Sequence, residues 1–275
     1  MKECKVLSDN NFKFNKKYGQ NFIFDKNLLT AIINDSGITS DDEVLEIGPG
    51  AGTLTKTIAA KAKMVVSYEI DTTLQPILAE NLKGITNSKI VFADALREDI
   101  KDIERNFAGD YKIVANLPYY ITTPLIFKFV KQTKRVKSMC IMVQKEVGER
   151  LVATNHDKEF GSISVILDFY GDVKILRQVP RRMFVPSPNV DSCIVQINFI
   201  NNKYICNAEV FEKIVKAAFA NRRKTLSNNL SGIVRLSKTQ IGDILEQNDF
   251  ERSVRGDSLS TEDFVKLSLI FDKYI

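Results

Sequence analysis

The sequence predicts an α/β fold, a doubly wound and largely parallel sheet followed by a small all-helical domain. Short apolar runs alternate with helical periodicities from residue 43 to about residue 143. A glycine-rich turn joins the first of these runs to the helix behind it. Beyond about residue 201 only helical spacing remains. Alternating strands and helices build βαβ units, so the expected division is 1–200 for the α/β domain and 201–275 for the helical one.

Residues 1–20 read as a basic arm with Lys13, Lys16 and Lys17, ending in Tyr18-Gly19-Gln20-Asn21-Phe22. Asp25 stands where an N-cap belongs, ahead of Leu28, Leu29, Ile32 and Ile33 at helical spacing, and Gly37 is the stop. Strands follow at 44–47, 64–68, 89–92, 113–115 and 139–143, with helices at 54–62, 73–82 and 124–131. Right-handed crossovers between such strands place ligands at the strands' carboxyl ends. Helices at 146–152 and 162–169 then lead to strands at 173–179 and 193–200, separated by Val185-Pro186-Ser187-Pro188. The closing helices are 208–220, 224–230, 239–247 and 261–273, the last capped by Ser260.

At 275 residues, 44% hydrophobic and 27% charged, the chain has material for a sizeable core. No apolar run reaches the roughly 18 residues that span a bilayer, and the start of the chain lacks the apolar centre of a signal peptide. The expectation is a cytoplasmic protein that does not engage a membrane. Cys4, Cys140, Cys193 and Cys206 are scattered without metal-binding spacing, so no metal site is expected. The single histidine, His156, sits in a polar stretch that reads as a surface loop, which argues against His-centred catalysis. The net charge of +5 is modest but clustered: Lys13, Lys16 and Lys17; Lys131, Lys134, Arg135 and Lys137; Lys174, Arg177, Arg181 and Arg182; Arg222, Arg223 and Lys224. Brought together by the fold, such clusters make a polyanion footprint.

Glu46-Ile47-Gly48-Pro49-Gly50-Ala51-Gly52 opens the helix after the first strand of the alternating run. Its third glycine comes one residue too early for a dinucleotide fingerprint, with Thr53 where a dehydrogenase wants glycine. The acidic-x-G-x-G-x-G pattern instead resembles the S-adenosylmethionine motif of class I methyltransferases. Glu69 ends the next strand, where a carboxylate can accept both ribose hydroxyls; Asp71 is the competing ribose ligand. Asp94 follows the third strand and can accept from an adenine amino group.

Ile113-Val114-Ala115-Asn116-Leu117-Pro118-Tyr119-Tyr120 is an apolar strand that ends in an amide, a proline and two aromatics. An adenine amino nitrogen is a weak nucleophile because its lone pair is delocalised into the ring. The Asn116 side-chain oxygen and the Leu117 carbonyl, accepting from its hydrogens, favour a tetrahedral nitrogen, and no strong general base is needed. Pro118 makes the turn rigid. Tyr119 offers a stacking face to a base drawn out of its helix, Phe184 is the candidate for the opposite wall, and Tyr120 reads as core.

Tyr18-Gly19-Gln20-Asn21-Phe22, Glu46 through Gly52, Asn116-Leu117-Pro118-Tyr119, Gln144-Lys145-Glu146-Val147, Phe184-Val185-Pro186-Ser187-Pro188-Asn189-Val190-Asp191-Ser192 and Asn221-Arg222-Arg223-Lys224-Thr225-Leu226 together resemble the ribosomal RNA adenine dimethylases. The likeness runs in order from about residue 13 to the end. It implies a Rossmann-like class I methyltransferase core using S-adenosylmethionine. The implied substrate is 16S rRNA in the 30S subunit or its precursor, dimethylated at N6 of two adjacent adenines in the 3′-terminal hairpin late in subunit assembly. It further implies that Asn21 and the backbone at Ile23 help close the cofactor site, with Gly48, Gly50, Glu69, Asp94 and Asn116. Arg222, Arg223 and Lys224 are implied to face RNA phosphates, making binding salt-dependent, and the enzyme is expected to be a monomer. The competing readings are a 23S rRNA adenine dimethylase, a DNA adenine methyltransferase, a dehydrogenase, and an assembly checkpoint acting chiefly by binding.

Overall fold

The computed structural model describes Phe14 and residues 19–275. Most of the expected basic arm, including Lys13, Lys16, Lys17 and Tyr18, lies outside the described residues, as does Cys4.

A seven-stranded sheet organises the chain, in the order β4-β3-β2-β5-β6-β9-β7. Its strands are β2 (Glu43–Ile47), β3 (Met64–Glu69), β4 (Ser88–Phe92), β5 (Tyr111–Asn116), β6 (Val136–Gln144), β7 (Gly171–Val179) and β9 (Ser192–Phe199). β2 pairs parallel with β3 and β5, β3 with β4, and β5 with β6. All five residues of β2 are buried, as a parallel strand covered on both faces requires. β9 runs antiparallel to β6, setting Gln144 opposite Ser192, while Asn116 lies opposite Met142. β9 therefore starts at the edge of the sheet where β5 ends, and the loop before it arrives beside the turn that follows Asn116.

Asp25 caps the first helix, Lys26–Asp35, accepting from the Leu28 N–H at 2.8 Å. After that helix Gly37 adopts φ +63°, a conformation that favours glycine. A helix unmarked in the sequence pattern, Ile100–Glu104, is capped by Asp99; five residues are too few to show a period. The expected 193–200 strand starts one residue earlier, at Ser192. A second sheet was also unexpected: β1 (Phe22–Ile23) pairs antiparallel with β8 (Phe184–Val185), Phe22 opposite Val185 and Ile23 opposite Phe184. Two-residue strands carry no alternation to read.

The chain forms two compact units: residues up to Gly148 with Lys174–Phe199, and Glu149–Val173 with Ile200–Ile275. In the second, helix Ser162–Tyr170 packs on helices Ala208–Ala220 and Thr261–Phe271, with Phe169 stacked on Phe211 at 4.1 Å between centroids. The helix expected at 224–230 begins at Leu226, because the Thr225 side chain caps it by accepting from the Asn228 N–H. Arg222, Arg223 and Lys224 thus belong to a turn, closed by the Lys224 N–H to the Asn221 carbonyl at 3.0 Å, and all three are exposed. His156 is exposed in a turn.

The basic clusters are partly spent on structure. Arg135 donates to the carbonyls of Phe107 and Gly109, Lys137 pairs with Asp110 at 2.8 Å, and Arg177 pairs with Asp35 at 3.0 Å.

Candidate active site

A cavity of ≈ 270 Å³ opens at the carboxyl ends of β2, β3, β4 and β5. Gly48, Gly50, Glu69, Asp94, Asn116, Leu117, Pro118 and Tyr119 all line it, and so does Asn21. Its size is at the low end for small-molecule sites. These residues leave four different strands or their following turns, so the parallel sheet is what gathers them.

The glycine turn is built for close approach. Gly50 has φ +57°, and a Cβ there would stand 2.8 Å from the Phe22 ring. Phe22 therefore covers the turn and closes the cavity's N-terminal side. Beneath it, the Glu46 carboxylate is fully buried and accepts from Thr55 Oγ1 at 2.6 Å and Ser67 Oγ at 2.7 Å. Burial pushes Glu46 up to about 7; it braces the turn from below and is not part of the cavity wall.

Glu69 is 5% exposed. One of its oxygens accepts from the Gly50 N–H at 3.1 Å and the other from the Asp71 N–H at 2.8 Å. Burial pushes this carboxyl, too, up to about 7. A carboxylate accepts more bonds than these two oxygens' backbone partners use, which leaves it able to accept from a hydroxyl. Asp71 is otherwise engaged: it accepts from Gln20 Nε2 at 2.6 Å and from the Thr73 N–H and hydroxyl, and it does not line the cavity. Asp94 holds its own loop through the Leu96 N–H at 3.0 Å and stands 3.4 Å from Arg97 Nε.

Asn116 joins the two halves of the site. Its Nδ2 donates to the Asn21 carbonyl at 2.8 Å, and Asn21 Nδ2 in turn donates to the Gly19 carbonyl at 3.1 Å. With the donor end of the Asn116 amide fixed, its oxygen is the end presented as an acceptor. The Leu117 N–H is tied to the Met142 carbonyl at 3.3 Å. Tyr119 is half-buried, and its hydroxyl lies 2.9 Å from Ser192 Oγ. Tyr120, expected in the core, is 57% exposed on the rim, since the short 3₁₀ turn Tyr119–Ile121 carries it outward.

Two expected residues stand outside the cavity lining. Ile23 is buried and its carbonyl accepts from Thr53 Oγ1 at 2.7 Å. Phe184 is 3% exposed and packs in the same cluster as Ile23, so its ring supports the 184–191 loop and is enclosed. Sequence reasoning missed Phe22, Gln20, Thr53 and Ser192 as site residues. Their roles come from contacts between distant segments, which a single sequence does not display.

Among the described residues no group of three or more His, Cys, Asp or Glu side chains is arranged to hold a metal ion, and no helix is long and apolar enough to cross a membrane. In the second unit, Arg222 donates to the Lys158 carbonyl at 3.3 Å and lies 6.0 Å from the Phe219 ring centroid.

The chain is similar to known proteins over nearly its whole length. A family model described as ribosomal RNA adenine dimethylase matches residues 11–268. The chain is 41% identical to a ribosomal RNA small subunit methyltransferase A of Clostridioides difficile (strain 630), over 97% of this chain and 94% of that protein. It is 39% identical to the protein of the same name from Bacillus pumilus, over 98% and 94%. A solved dimethyladenosine transferase from Plasmodium falciparum superposes with a TM-score of 0.79 at 27% identity, over 92% of this chain and 98% of that one.

Proposed function

The chain belongs to the ribosomal RNA adenine dimethylase family, and from that membership we propose that it dimethylates N6 of two adjacent adenosines in the 3′-terminal hairpin of 16S rRNA. The substrate is the 30S subunit or its late precursor. Each unmethylated subunit takes four methyl groups, and the enzyme acts as a monomer in the cytoplasm. The names of its relatives favour the small subunit over a 23S rRNA target. The observation that carries the reading is the placement of Asn116 between the glycine turn and Tyr119, at the mouth of one cavity.

The cavity's residues fit S-adenosylmethionine, which supplies, when bound, a sulfonium-activated methyl group. Gly48 and Gly50 let the ligand lie against the backbone. Glu69 accepts from the ribose hydroxyls, Asp94 from the amino group of the ligand's adenine, and Asn21 closes the site through Asn116. The Asn116 oxygen and the Leu117 carbonyl accept from the target amino group and turn its lone pair out of conjugation. Positioning and preorganised acceptors supply the rate enhancement. Methylation leaves the nitrogen acidic enough to lose its proton to water. Tyr119 stacks on the target base, worth about 1–3 kcal/mol, and Phe184 supports the loop beside it. Arg222, Arg223 and Lys224, exposed on a turn, bind RNA phosphates.

Incubation with labelled S-adenosylmethionine and undermethylated 30S or 50S subunits, followed by mapping, tests this. Label is expected at the two hairpin adenines of 16S rRNA; label confined to 23S rRNA, or none, overturns it.

A further inference from the structure

Lys128 lies on helix Thr122–Gln132 and is 7% exposed. Its neighbours Leu125, Ile126 and Phe129 are fully enclosed, so the position could be filled by an apolar side chain at no desolvation cost. Instead its ammonium donates to the Ala95 carbonyl at 2.8 Å, the Leu96 carbonyl at 3.2 Å and the Glu98 carbonyl. An ammonium has three N–H donors, and all three are spent on one short loop.

That loop follows β4 and carries Asp94. It folds back on itself through the Arg97 and Glu98 N–H groups, both donating to the Asp94 carbonyl at 2.9 and 3.0 Å. The folding turns three carbonyls toward one point, where their like partial charges repel unless a cation sits among them. Ala95, Leu96 and Arg97 line the cavity beside Asp94. Burial lowers the Lys128 pKa, and the carboxylates of Glu98, Asp94 and Asp99 act against that shift.

We propose that Lys128 is a positioning residue for the methyl donor. By gathering the carbonyls of residues 95, 96 and 98, it holds Asp94 where its carboxylate reads the amino group of the donor's adenine. Because its helix begins directly behind the Tyr119–Ile121 turn, one element holds both the donor's base and the target's turn. This rests on the assignment of Asp94 to that amino group.

The test measures binding by calorimetry, with S-adenosylhomocysteine and S-inosylhomocysteine, whose base has no amino group, as probes. The unaltered protein is expected to prefer the adenosyl compound about tenfold, the equivalent of about 1.4 kcal/mol. Lys128→Met should lose roughly tenfold for the adenosyl compound while the inosyl compound changes less than twofold, the selectivity vanishing. Lys128→Gln, which keeps two donors, should fall between and covers the case in which the methionine variant does not fold. An equal loss for both probes means that Lys128 only supports the fold and overturns the proposal, as does no loss for either. If the unaltered protein does not distinguish the probes, the assignment of Asp94 fails first and the proposal falls with it.

Discussion

The Asn116 side chain donates to the Asn21 carbonyl at 2.8 Å, so the residue proposed to receive the target amine is oriented by the segment that leads into Phe22 and the first short strand. An Asn side chain has two nearly equivalent ends, and which one faces the substrate decides whether it accepts or repels an amino group. Asn21 settles the choice by using the amide nitrogen.

Replacing Asn116 by Ala removes the acceptor, and methyl transfer should fall by about 10²–10³-fold, the cost of losing one preorganised partner. Binding to 30S subunits, measured by sedimentation, should be unchanged. Asn116→Asp keeps an acceptor but sets a carboxylate against the Asn21 carbonyl, so KM for S-adenosylmethionine should also rise. Unchanged turnover in the alanine variant would remove Asn116 from the chemistry.

Tyr119 and Ser192 should act as a pair, their oxygens being 2.9 Å apart. Tyr119→Ala should lower kcat/KM for the RNA by roughly 5- to 150-fold, corresponding to about 1–3 kcal/mol of lost stacking. Tyr119→Phe and Ser192→Ala should each cost a few-fold, and the double variant no more than either alone, since both delete one hydrogen bond. Additive losses in the double variant would show that the bond does not orient the ring.

Binding of the methyl donor should strengthen as pH rises through about 7. Burial raises the Glu69 carboxyl from its ordinary 4.5 to about 7, so the empty site favours the neutral form. That contribution to the stability of the free protein is full below about 4.5 and is lost as pH rises through about 7. Ribose hydroxyls favour the carboxylate, so affinity for S-adenosylhomocysteine should climb from pH 6 to pH 8 with proton release, read by calorimetry in buffers of differing ionisation enthalpy. Glu46, also raised to about 7, titrates in the same range. Glu69→Gln separates the two by flattening the profile and weakening binding. A flat profile in the unaltered protein overturns the assignment.

The strands and the carboxylates at their ends were legible in the sequence because burial on both faces produces continuous apolar runs and a ligand site follows their ends. Glu46, Glu69, Asp94 and Asn116 could be placed for that reason. What was not legible came from contacts between distant segments. The enclosure of Phe184 depends on Ile23, and the engagement of Asp71 depends in part on Gln20. Nothing in the sequence around Lys128 marks it as more than a helix residue. The helix expected from Lys224, a good helix former, starts two residues later because the Thr225 side chain caps it.

The pairing of Phe22–Ile23 with Phe184–Val185 carries a consequence for anyone trimming or tagging this chain. Among the described residues, each two-residue strand is the other's only partner in that small sheet. A deletion that reaches Phe22 from the front would strand the backbone groups of a loop near residue 185, and it would uncover the glycine turn at Gly50 in the same step. Damage made at the front of the chain would be read as a defect of the cavity and of a loop more than 160 residues away.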